Sequence, residues 1–280
     1  MMSSKSDEEI AAQAASLAGE LLLQLRHRAG IDTATDSEAL RTAGDRDANR
    51  AILELLTNQR PSDSLLSEES ADDLRRLGAK RVWIIDPLDG TREFGERDAA
   101  GVWRDDFAVH VALWERGKGL TLGVVGLPAR GLIYSSHVRT VVPPSPAGPL
   151  RIAVSRTRPP GFIAALESAG NAKLRPMGSA GVKVMAVVSG EADAYIHAGG
   201  QYQWDSAAPV AVARAAGLVA TRLDGSPLEY NVPELLLPDL VVCHPDRADE
   251  VRVLLDAAGF GAGDAGGAGA TTAGTAESPR

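Results

Sequence analysis

Two aspartates stand three residues apart in the segment Asp86–Thr91, which follows a short apolar run. Pro87 stiffens this turn, so both carboxylates can point into one small volume. Gly90 would let the backbone approach a ligand closely, and a helix that begins at Gly90 and Thr91 would offer free N–H groups to a phosphate. Taken alone, the pair is also compatible with a solvated turn that caps a helix.

Two further acidic segments accompany this pair. Glu68 and Glu69 follow a short apolar pair, and Asp205 follows a tryptophan at the start of an alanine-rich stretch. In isolation, the two glutamates are typical of a solvated helix start and Asp205 of a helix N-cap. The presence of all three segments in one chain favours a functional interpretation of Asp86–Thr91.

Composition limits the classes of function. The chain has 280 residues, of which 44% are hydrophobic and 24% charged, and this excludes disorder of the whole chain. Its 29 glycines and 16 prolines are too frequent for a coiled coil. The net charge of −8 argues against a nucleic acid polymer as a partner, because such binding depends on basic residues that neutralise phosphates. A small anionic substrate stays possible if metal ions lie in between.

The single cysteine, Cys243, excludes an intrachain disulfide and a thiolate zinc site and favours a reducing compartment. Three acidic residues at positions 7–9 precede the first apolar run, where a secretory signal would carry positive charge. No uncharged apolar run approaches the roughly 18 residues of a membrane span. We therefore expect a cytoplasmic protein without a membrane partner.

The first half of the chain predicts two helices followed by a meandering sheet. Apolar residues at helical spacing, Leu17 among them, share one face of residues 8–27. A second helix is predicted from Asp45 to about Asn58. Strands are predicted at Val82–Asp86, Phe107–Leu113, Leu120–Val125 and Leu132–Tyr134.

Four prolines in residues 141–149 indicate a stiff linker, and we place the boundary between two lobes there. Residues 1–140 would form an N-terminal α+β lobe and residues 150–260 a C-terminal α/β lobe, in which strands alternate with helices. Residues 261–280 have no large apolar side chain, so we expect a disordered tail. The predicted strands of the second lobe are Arg151–Val154, Ala194–Ile196 and Leu240–Cys243, and its predicted helices are Pro160–Ser168, Ser179–Ser189, Asp205–Ala216 and Asp246–Ala258.

The combined pattern resembles the inositol monophosphatase superfamily, whose members are metal-dependent, lithium-sensitive phosphatases. The residues that carry the resemblance are Glu68-Glu69, the segment WIIDPLDGT that contains Asp86–Thr91, and Trp204-Asp205 before an alanine-rich helix. The resemblance spans about Asp45 to Pro245, and the DPLDGT element is rare enough that chance is a poor explanation. It implies an α/β fold, namely a five-layered α-β-α-β-α sandwich with the site between two lobes.

The resemblance further implies that a set of oxygen ligands holds magnesium ions. The set is Glu68, Asp86, the carbonyl of Leu88, Asp89 and Asp205, with Glu69 next to them. Hard oxygen ligands suit Mg²⁺, and two to three ions would balance four carboxylates and a phosphate. Without metal, we expect the carboxylates to repel one another and to have raised pKa values.

A water-activating pair is also implied, formed by a threonine after the glycine and an upstream aspartate. Thr91 fills the first role, and Asp45, which follows Gly44, matches the second. In this interpretation Asp45 opens the second helix, and a plain N-cap is its alternative role. The implied mechanism is in-line attack of a water on phosphorus, with the pair accepting the proton of the water.

The residues after the DPLDGT element discriminate within the superfamily. Arg92-Glu93-Phe94 resembles the corresponding segment in the branch of 3′(2′),5′-bisphosphate nucleotidases. This implies hydrolysis of 3′-phosphoadenosine 5′-phosphate or its sulfated form in sulfate assimilation. Lys183 completes the Gly-Ser-x-x-x-Lys pattern of that branch and could hold a second phosphate, whereas a surface lysine is the alternative. Residues 197–203 contain no carboxylate of the kind with which inositol phosphatases bind sugar hydroxyls. The implied substrate contacts are Glu68, Leu88, Asp89, Gly90, Thr91, Ser155, Arg158, Gly178, Ser179, Lys183 and Asp205.

Some features leave alternatives open. Arg158 stands where the nucleotidase branch has a histidine, and the loop from Gly95 to Asp105 departs from that branch. An inositol-1-monophosphatase, a fructose-1,6-bisphosphatase or a promiscuous enzyme of the same fold is the alternative, and a catalytically silent binder is disfavoured because all implied ligands are present. We expect a small-molecule phosphate ester as partner, allow for a homodimer, and expect His110 to be structural.

Overall fold

A computed structural model of the chain describes residues 5–29, 34–168, 170 and 172–260. The tail that we predict for residues 261–280 lies outside this part of the chain. Among the described residues, no helix is both long and apolar enough to cross a lipid bilayer.

The first helix, α1 (Asp7–Arg28), begins at a reciprocal cap between Ser6 and Glu9, in which the side chain of each accepts a hydrogen bond from the backbone N–H of the other. Leu17, one of the apolar residues predicted to share a face, is 37% exposed and lies at the edge of that face. Small residues dominate the buried face, and they allow the helix to lie close to the neighbouring sheet. The buried stripe runs through Ile10, Ala11, Ala14, Ala15, Ala18 and Leu22.

The second helix, α2 (Ala34–Gln59), begins well before the predicted start at Asp45. Asp45 therefore lies in the interior of the helix and is neither its first residue nor its N-cap. The preceding Gly44 does not break the helix but permits close packing, since a Cβ atom there would lie 2.7 Å from the ring of Phe94.

A five-stranded sheet follows, with its strands in the order β1-β2-β3-β4-β5. β1 pairs with β2 in parallel, and the remaining neighbours are antiparallel. The strand predicted at Val82–Asp86 is confirmed as part of β2, whereas β1 is too short for its pattern to predict it. The elements are β1 (Ser64–Ser67), β2 (Arg81–Asp89), the one-turn helix α3 (Thr91–Phe94), β3 (Ala108–Glu115), β4 (Gly119–Leu127) and β5 (Leu132–Ser135).

A second five-stranded sheet has the order β7-β6-β8-β10-β9. The four predicted helices of this half agree with the observed ones to within two residues at each end, and all three predicted strands are present. β7 and β9 are not predicted, because β7 has little alternation and β9 only three residues. The elements are β6 (Leu150–Ser155), α4 (Gly161–Ser168), β7 (Ala172–Met177), α5 (Ala180–Val188), β8 (Ala194–Tyr202), α6 (Gln203–Ala215), β9 (Val219–Thr221), β10 (Leu236–Cys243) and α7 (Ala248–Ala257).

Helices and sheets alternate in five layers, which confirms the predicted sandwich. α1 and α2 pack on the first sheet, α5 and α6 lie between the two sheets, and α4 and α7 pack on the outer face of the second. The approach of α6 to β4 requires Gly123, because a Cβ atom there would lie 2.5 Å from the carbonyl oxygen of Ala208. Residues 141–149 contain neither helix nor strand, and the division into two lobes at that segment stays a prediction.

Candidate metal and phosphate site

The end of β2 carries the central pair of carboxylates. In a regular strand, residues three apart point to opposite faces. The pairing of β2 with β3 is irregular between Asp86 and Asp89, where three steps along β2 match two steps along β3, from His110 to Ala108. This bulge turns both aspartates toward the same side of the sheet.

Asp86, Asp89 and His110 form a compact group. They offer ligand atoms that all lie within 4.8 Å of one another. Oδ1 of Asp86 accepts a hydrogen bond from the Leu88 N–H at 3.0 Å, whereas its Oδ2 is buried and has no hydrogen-bond partner among the described residues. A buried carboxylate oxygen without a donor is costly unless a cation balances it. His110 Nδ1 lies 3.2 Å from the carbonyl oxygen of Trp204, and this contact is compatible with the structural role expected for His110.

Glu68 reaches this group because β1 runs parallel to β2. Ser67, the last residue of β1, pairs with Ile85, and the backbone N–H of Glu68 donates to the Ile85 carbonyl at 3.2 Å. Desolvation in the cleft, followed by the charge of Asp205, raises the pKa of Glu68 to about 8. Desolvation alone raises the pKa of the neighbouring Glu69.

Asp205 comes from the other half of the chain, in the first turn of α6. Its Oδ2 accepts a hydrogen bond from the Tyr202 N–H at 2.8 Å, which fixes the start of the helix. Asp205 is thus the third residue of the helix and not its N-cap. Desolvation and the nearby charge of Asp89 raise the pKa of Asp205 to about 7. Burial likewise raises the pKa of Asp86, and the charge of Glu68 adds to this effect.

Raised pKa values are the expected state of carboxylates that share a pocket without a cation. The fold therefore assembles four carboxylates from three separate segments at the end of β2. All of them offer hard oxygen atoms, and the unpartnered oxygen of Asp86 lies among them, so the donor set fits a divalent cation such as Mg²⁺.

The predicted catalytic pair is also in contact. Thr91 Oγ1 lies 3.3 Å from Asp45 Oδ1 and 3.0 Å from the carbonyl oxygen of Leu88. Desolvation and the charge of Glu69 raise the pKa of Asp45 to about 7. A mid-helix aspartate can meet Thr91 because Gly44 lets α2 approach the helix α3 that Thr91 begins.

A cavity of about 290 Å³ adjoins these residues. Its wall includes nine of the predicted substrate contacts or metal ligands, drawn from both halves of the chain. These are Asp89, Gly90, Thr91, Ser155, Arg158, Gly178, Ser179, Lys183 and Asp205. Asp86 and Leu88 are buried beneath the cavity at 1% exposure each.

Lys183 is buried and is not a surface lysine, with 5% of its area exposed. Its Nζ donates to the Gly178 carbonyl at 3.1 Å and lies 5.2 Å from the centre of the Tyr195 ring. Burial lowers the pKa of Lys183, although Asp89 and other nearby carboxylates oppose the shift. Because the ammonium carries three donors, it retains hydrogen-bonding capacity toward the cavity.

Ser179, which lines the cavity, also contacts a carboxylate of the first sheet. It is in the left-handed region, with φ of 42°, and its hydroxyl donates to Asp89 Oδ2 at 2.5 Å. The Gly181 N–H donates to the same oxygen at 2.8 Å. The start of α5 therefore holds a carboxylate of the first sheet, which strand and helix patterns alone do not predict.

Four residues in or next to this site are not among the predicted site residues, namely Arg156, Glu93, Asp106 and Gln201. Arg156 forms ion pairs with Glu93 and Asp106 beneath the cavity wall. Gln201 lines the cavity, and both polar atoms of its amide are buried with no hydrogen-bond partner in the described part of the chain. Glu93 and Arg156 are visible in the sequence only as parts of segments that resemble the nucleotidase branch, and no local pattern singles out Asp106 or Gln201.

The chain belongs to the inositol monophosphatase family, whose model matches residues 4–254. The family is metal-dependent, and the acidic group at the end of β2 can hold a metal ion. The chain is 50% identical over 260 residues to a 3′-phosphoadenosine 5′-phosphate phosphatase of Mycobacterium leprae, which covers 89% of this chain and 92% of the relative. It is 33% identical over 208 residues to the 3′(2′),5′-bisphosphate nucleotidase CysQ of Escherichia coli, which covers 70% of this chain and 81% of the relative.

Solved structures agree with this assignment. CysQ from Bacteroides thetaiotaomicron superimposes with a TM-score of 0.72 at 29% identity and covers 84% of this chain and 96% of that structure. Inositol monophosphatase II from Staphylococcus aureus gives a TM-score of 0.71 at 20% identity and covers 87% of this chain and 93% of that structure. The second likeness is one of fold alone.

Proposed function

We propose that the protein is a Mg²⁺-dependent 3′(2′),5′-bisphosphate nucleotidase that hydrolyses 3′-phosphoadenosine 5′-phosphate to AMP and phosphate. The observation that carries the proposal is the buried ammonium of Lys183 in the same cavity as Asp89, Thr91 and Asp205. A simple monoester needs only the metal-binding carboxylates and the catalytic pair. A second phosphate needs a cation outside that cluster.

Arg158 provides further positive charge at the cavity wall. Its backbone N–H donates to Ser155 Oγ at 3.2 Å, which orders the start of the loop after β6. Lys183 and Arg158 could share a 5′-phosphate while the 3′-phosphate faces the carboxylates. The names of the relatives from Mycobacterium leprae and Escherichia coli support the same substrate, and with it a role in sulfur metabolism.

Glu68, Asp86, Asp89, Asp205 and the Leu88 carbonyl would hold two to three Mg²⁺ ions. When bound, Mg²⁺ would neutralise charge on the phosphate and lower the pKa of the attacking water. Thr91 Oγ1 lies 3.3 Å from Asp45 Oδ1 and 3.0 Å from the Leu88 carbonyl oxygen, and it has one proton to donate. When that proton goes to Asp45, the Leu88 carbonyl oxygen is available to a cation.

The chain's own residues handle the proton. Thr91 orients a water for in-line attack, and its hydroxyl passes a proton to Asp45 Oδ1 as it accepts one from the water. The oxygen of the water forms a bond to phosphorus, and the bond from phosphorus to the 3′-oxygen breaks. The 3′-oxygen takes a proton from solvent, and AMP and phosphate leave.

Phosphate release from a panel of esters tests the proposal. The panel is 3′-phosphoadenosine 5′-phosphate, inositol 1-phosphate and fructose 1,6-bisphosphate, each with Mg²⁺ and with a chelator. We expect the nucleotide to have the highest kcat/KM and the chelator to abolish its turnover. A preference for the inositol or sugar ester would refute the substrate assignment, and full activity with chelator would refute the metal assignment.

A further inference from the structure

One guanidinium connects three segments behind the cavity wall. Arg156 follows β6, and its Nη1 lies 3.1 Å from Glu93 Oε1 while its Nη2 is paired with Asp106 Oδ2. Glu93 lies in α3 and Asp106 just before β3, and both are buried, at 7% and 4% exposure. We call these three residues the arginine bridge. It joins the catalytic turn of the first half of the chain to the second half.

Both carboxylates of the arginine bridge contact the turn at Gly178 and Ser179. Asp106 Oδ2 accepts a hydrogen bond from the Gly178 N–H at 2.7 Å. A main-chain bond from the Arg156 N–H to the Met177 carbonyl at 3.1 Å also orders the turn, but it does not depend on the guanidinium. Gly178 itself packs so closely on Glu93 that a Cβ atom there would overlap the Glu93 side chain. The turn therefore has little freedom to move while the bridge is intact.

This turn positions two groups that the proposed reaction needs. The Gly178 carbonyl accepts a hydrogen bond from the Lys183 ammonium at 3.1 Å, and the Ser179 hydroxyl donates to Asp89. Displacement of the turn would move the cation that faces the second phosphate, and it would loosen one carboxylate of the metal-binding group.

Charge gives the bridge a second effect. Glu93 lines the cavity and Asp106 lies next to it, so Arg156 neutralises two carboxylates beside a pocket for an anion. Without Arg156, two buried carboxylates would lose their shared counter-ion. In the described part of the chain, the cavity wall includes Ser155 and Arg158 but not Arg156, so Arg156 acts through its neighbours.

We propose that Arg156 is a positioning residue that sets the affinity of the site for the substrate's second phosphate. The inference rests on the proposed nucleotidase function, since it assigns Lys183 to that phosphate. Arg156 does this by fixing the Gly178–Ser179 turn through Asp106 and by cancelling the charge of Glu93 and Asp106.

The test compares Arg156→Met with the matched control Arg151→Met. Arg151 lies on the same strand β6 and pairs with a buried carboxylate, Asp193, at 2.7 Å, but it does not line the cavity. We expect Arg156→Met to raise KM for 3′-phosphoadenosine 5′-phosphate by about ten- to a hundredfold. KM for a small ester such as 4-nitrophenyl phosphate should change much less. Arg151→Met should lower Tm and leave both KM values within about twofold of wild type.

Calorimetric titration with AMP gives a readout that does not depend on turnover. AMP retains the 5′-phosphate, so its Kd should rise in Arg156→Met and stay constant in Arg151→Met. Equal KM and Kd values in the two variants would overturn the inference. So would a loss of the same size for both esters with unchanged AMP binding, which would mean a general structural role.

Arg156→Lys keeps the charge but offers no planar fork for two carboxylates at once. We expect it to restore part of the lost AMP affinity, and it replaces Arg156→Met in every comparison if that variant does not fold. Failure of the proposed function would look different. Wild type would then prefer another ester and bind AMP weakly. The positioning role would also be overturned if the Arg156 and Arg151 variants had equal KM values for that preferred ester.

Discussion

At the scale of single residues, the two carboxylate oxygens of Asp89 have different surroundings. Its Oδ2 accepts hydrogen bonds from the Ser179 hydroxyl and the Gly181 N–H, and His110 Nε2 lies 3.3 Å away. Among the described residues, no donor is hydrogen-bonded to Oδ1, which leaves this oxygen available for a cation. Asp89 is therefore anchored through one oxygen, and its other oxygen is the one that we propose as a metal ligand.

We expect Asp89→Asn to lower kcat by at least about a hundredfold with little change in Tm. The amide keeps the size of the side chain, so it can still pair with the start of α5, but it removes one negative charge from the metal-binding group. Phosphate release and thermal unfolding measure the two effects. Asp239→Asn is the control, because Asp239 pairs with Arg222 at 2.7 Å and does not line the cavity. Activity of Asp89→Asn within a few-fold of wild type would contradict the metal assignment.

The second residue-scale prediction concerns Lys183, whose buried stem favours methionine over alanine as a replacement. Lys183→Met should lower kcat/KM for the bisphosphate nucleotide by about ten- to a hundredfold, the effect of one lost charge-assisted hydrogen bond. A small monoester should lose only a few-fold. Kinetics with both substrates provide the internal control. Equal losses would assign Lys183 to support of the Gly178 carbonyl alone. Arg158→Ala is the companion variant, because either cation could partly compensate for the loss of the other when only one of them is replaced.

At the scale of elements, the sequence predicts helices that have regular apolar spacing, but it does not predict the tertiary contacts that these helices make. The four helices of the second half follow from local pattern, because each repeats its apolar face over several turns. The start of α2 does not, since Gly44 looks like a boundary and its packing against Phe94 is invisible in the sequence. The DPLDGT segment indicates that Asp86 and Asp89 are chemically important. That a bulge aligns them is a property of the pairing with β3.

The contact between α5 and β3 yields an element-scale prediction. A Cβ atom at Gly181 would overlap the ring of His110, which is fully buried. Gly181→Ala must therefore push α5 away from β3, at a cost of about 1–3 kcal/mol in the free energy of unfolding. Because the Gly181 N–H holds Asp89 Oδ2, kcat should fall as well. Denaturant unfolding and phosphate release measure both effects.

Gly161→Ala is the matched control for this substitution. Gly161 also lies in the first turn of a helix, α4, but a Cβ atom there would meet no described atom within 4 Å. We expect it to leave stability and turnover unchanged or to stabilise the helix slightly. If Gly181→Ala behaves like Gly161→Ala, the close contact between α5 and His110 is not important for the site.

At the scale of the whole molecule, the carboxylates that we propose as metal ligands come from elements that are distant in sequence. Glu68 follows β1, Asp86 and Asp89 end β2, and Asp205 lies in α6 between the two sheets. The sequence predicts the members of this group through a family resemblance. Their convergence depends on the parallel pairing of β1 with β2 and on the packing of α6 against the first sheet. Sequence patterns do not predict the contacts of the arginine bridge either, because these contacts join three segments that meet only in the tertiary structure.

This arrangement predicts that Mg²⁺ stabilises the molecule as a whole. In the chain alone the carboxylates repel one another, and a cation that binds only the folded state adds its binding free energy to stability. At a free concentration one hundred times the Kd, a single site contributes about 2.7 kcal/mol, or roughly 5–10 °C in Tm for a chain of this size. Thermal unfolding at increasing Mg²⁺ concentration should show a saturable rise in Tm that a chelator reverses.

Asp205→Asn separates binding at the site from a general effect of divalent cations on an acidic protein. We expect the Mg²⁺-dependent rise in Tm to shrink markedly in Asp205→Asn and to persist in Asp239→Asn, which removes the same charge elsewhere. The metal-free Asp205→Asn protein should be as stable as wild type or more so, because one repulsive charge is gone from the cleft. A rise in Tm that is equal in all three proteins would mean that Mg²⁺ acts by screening net charge, and the two sheets would then be held together without help from a metal.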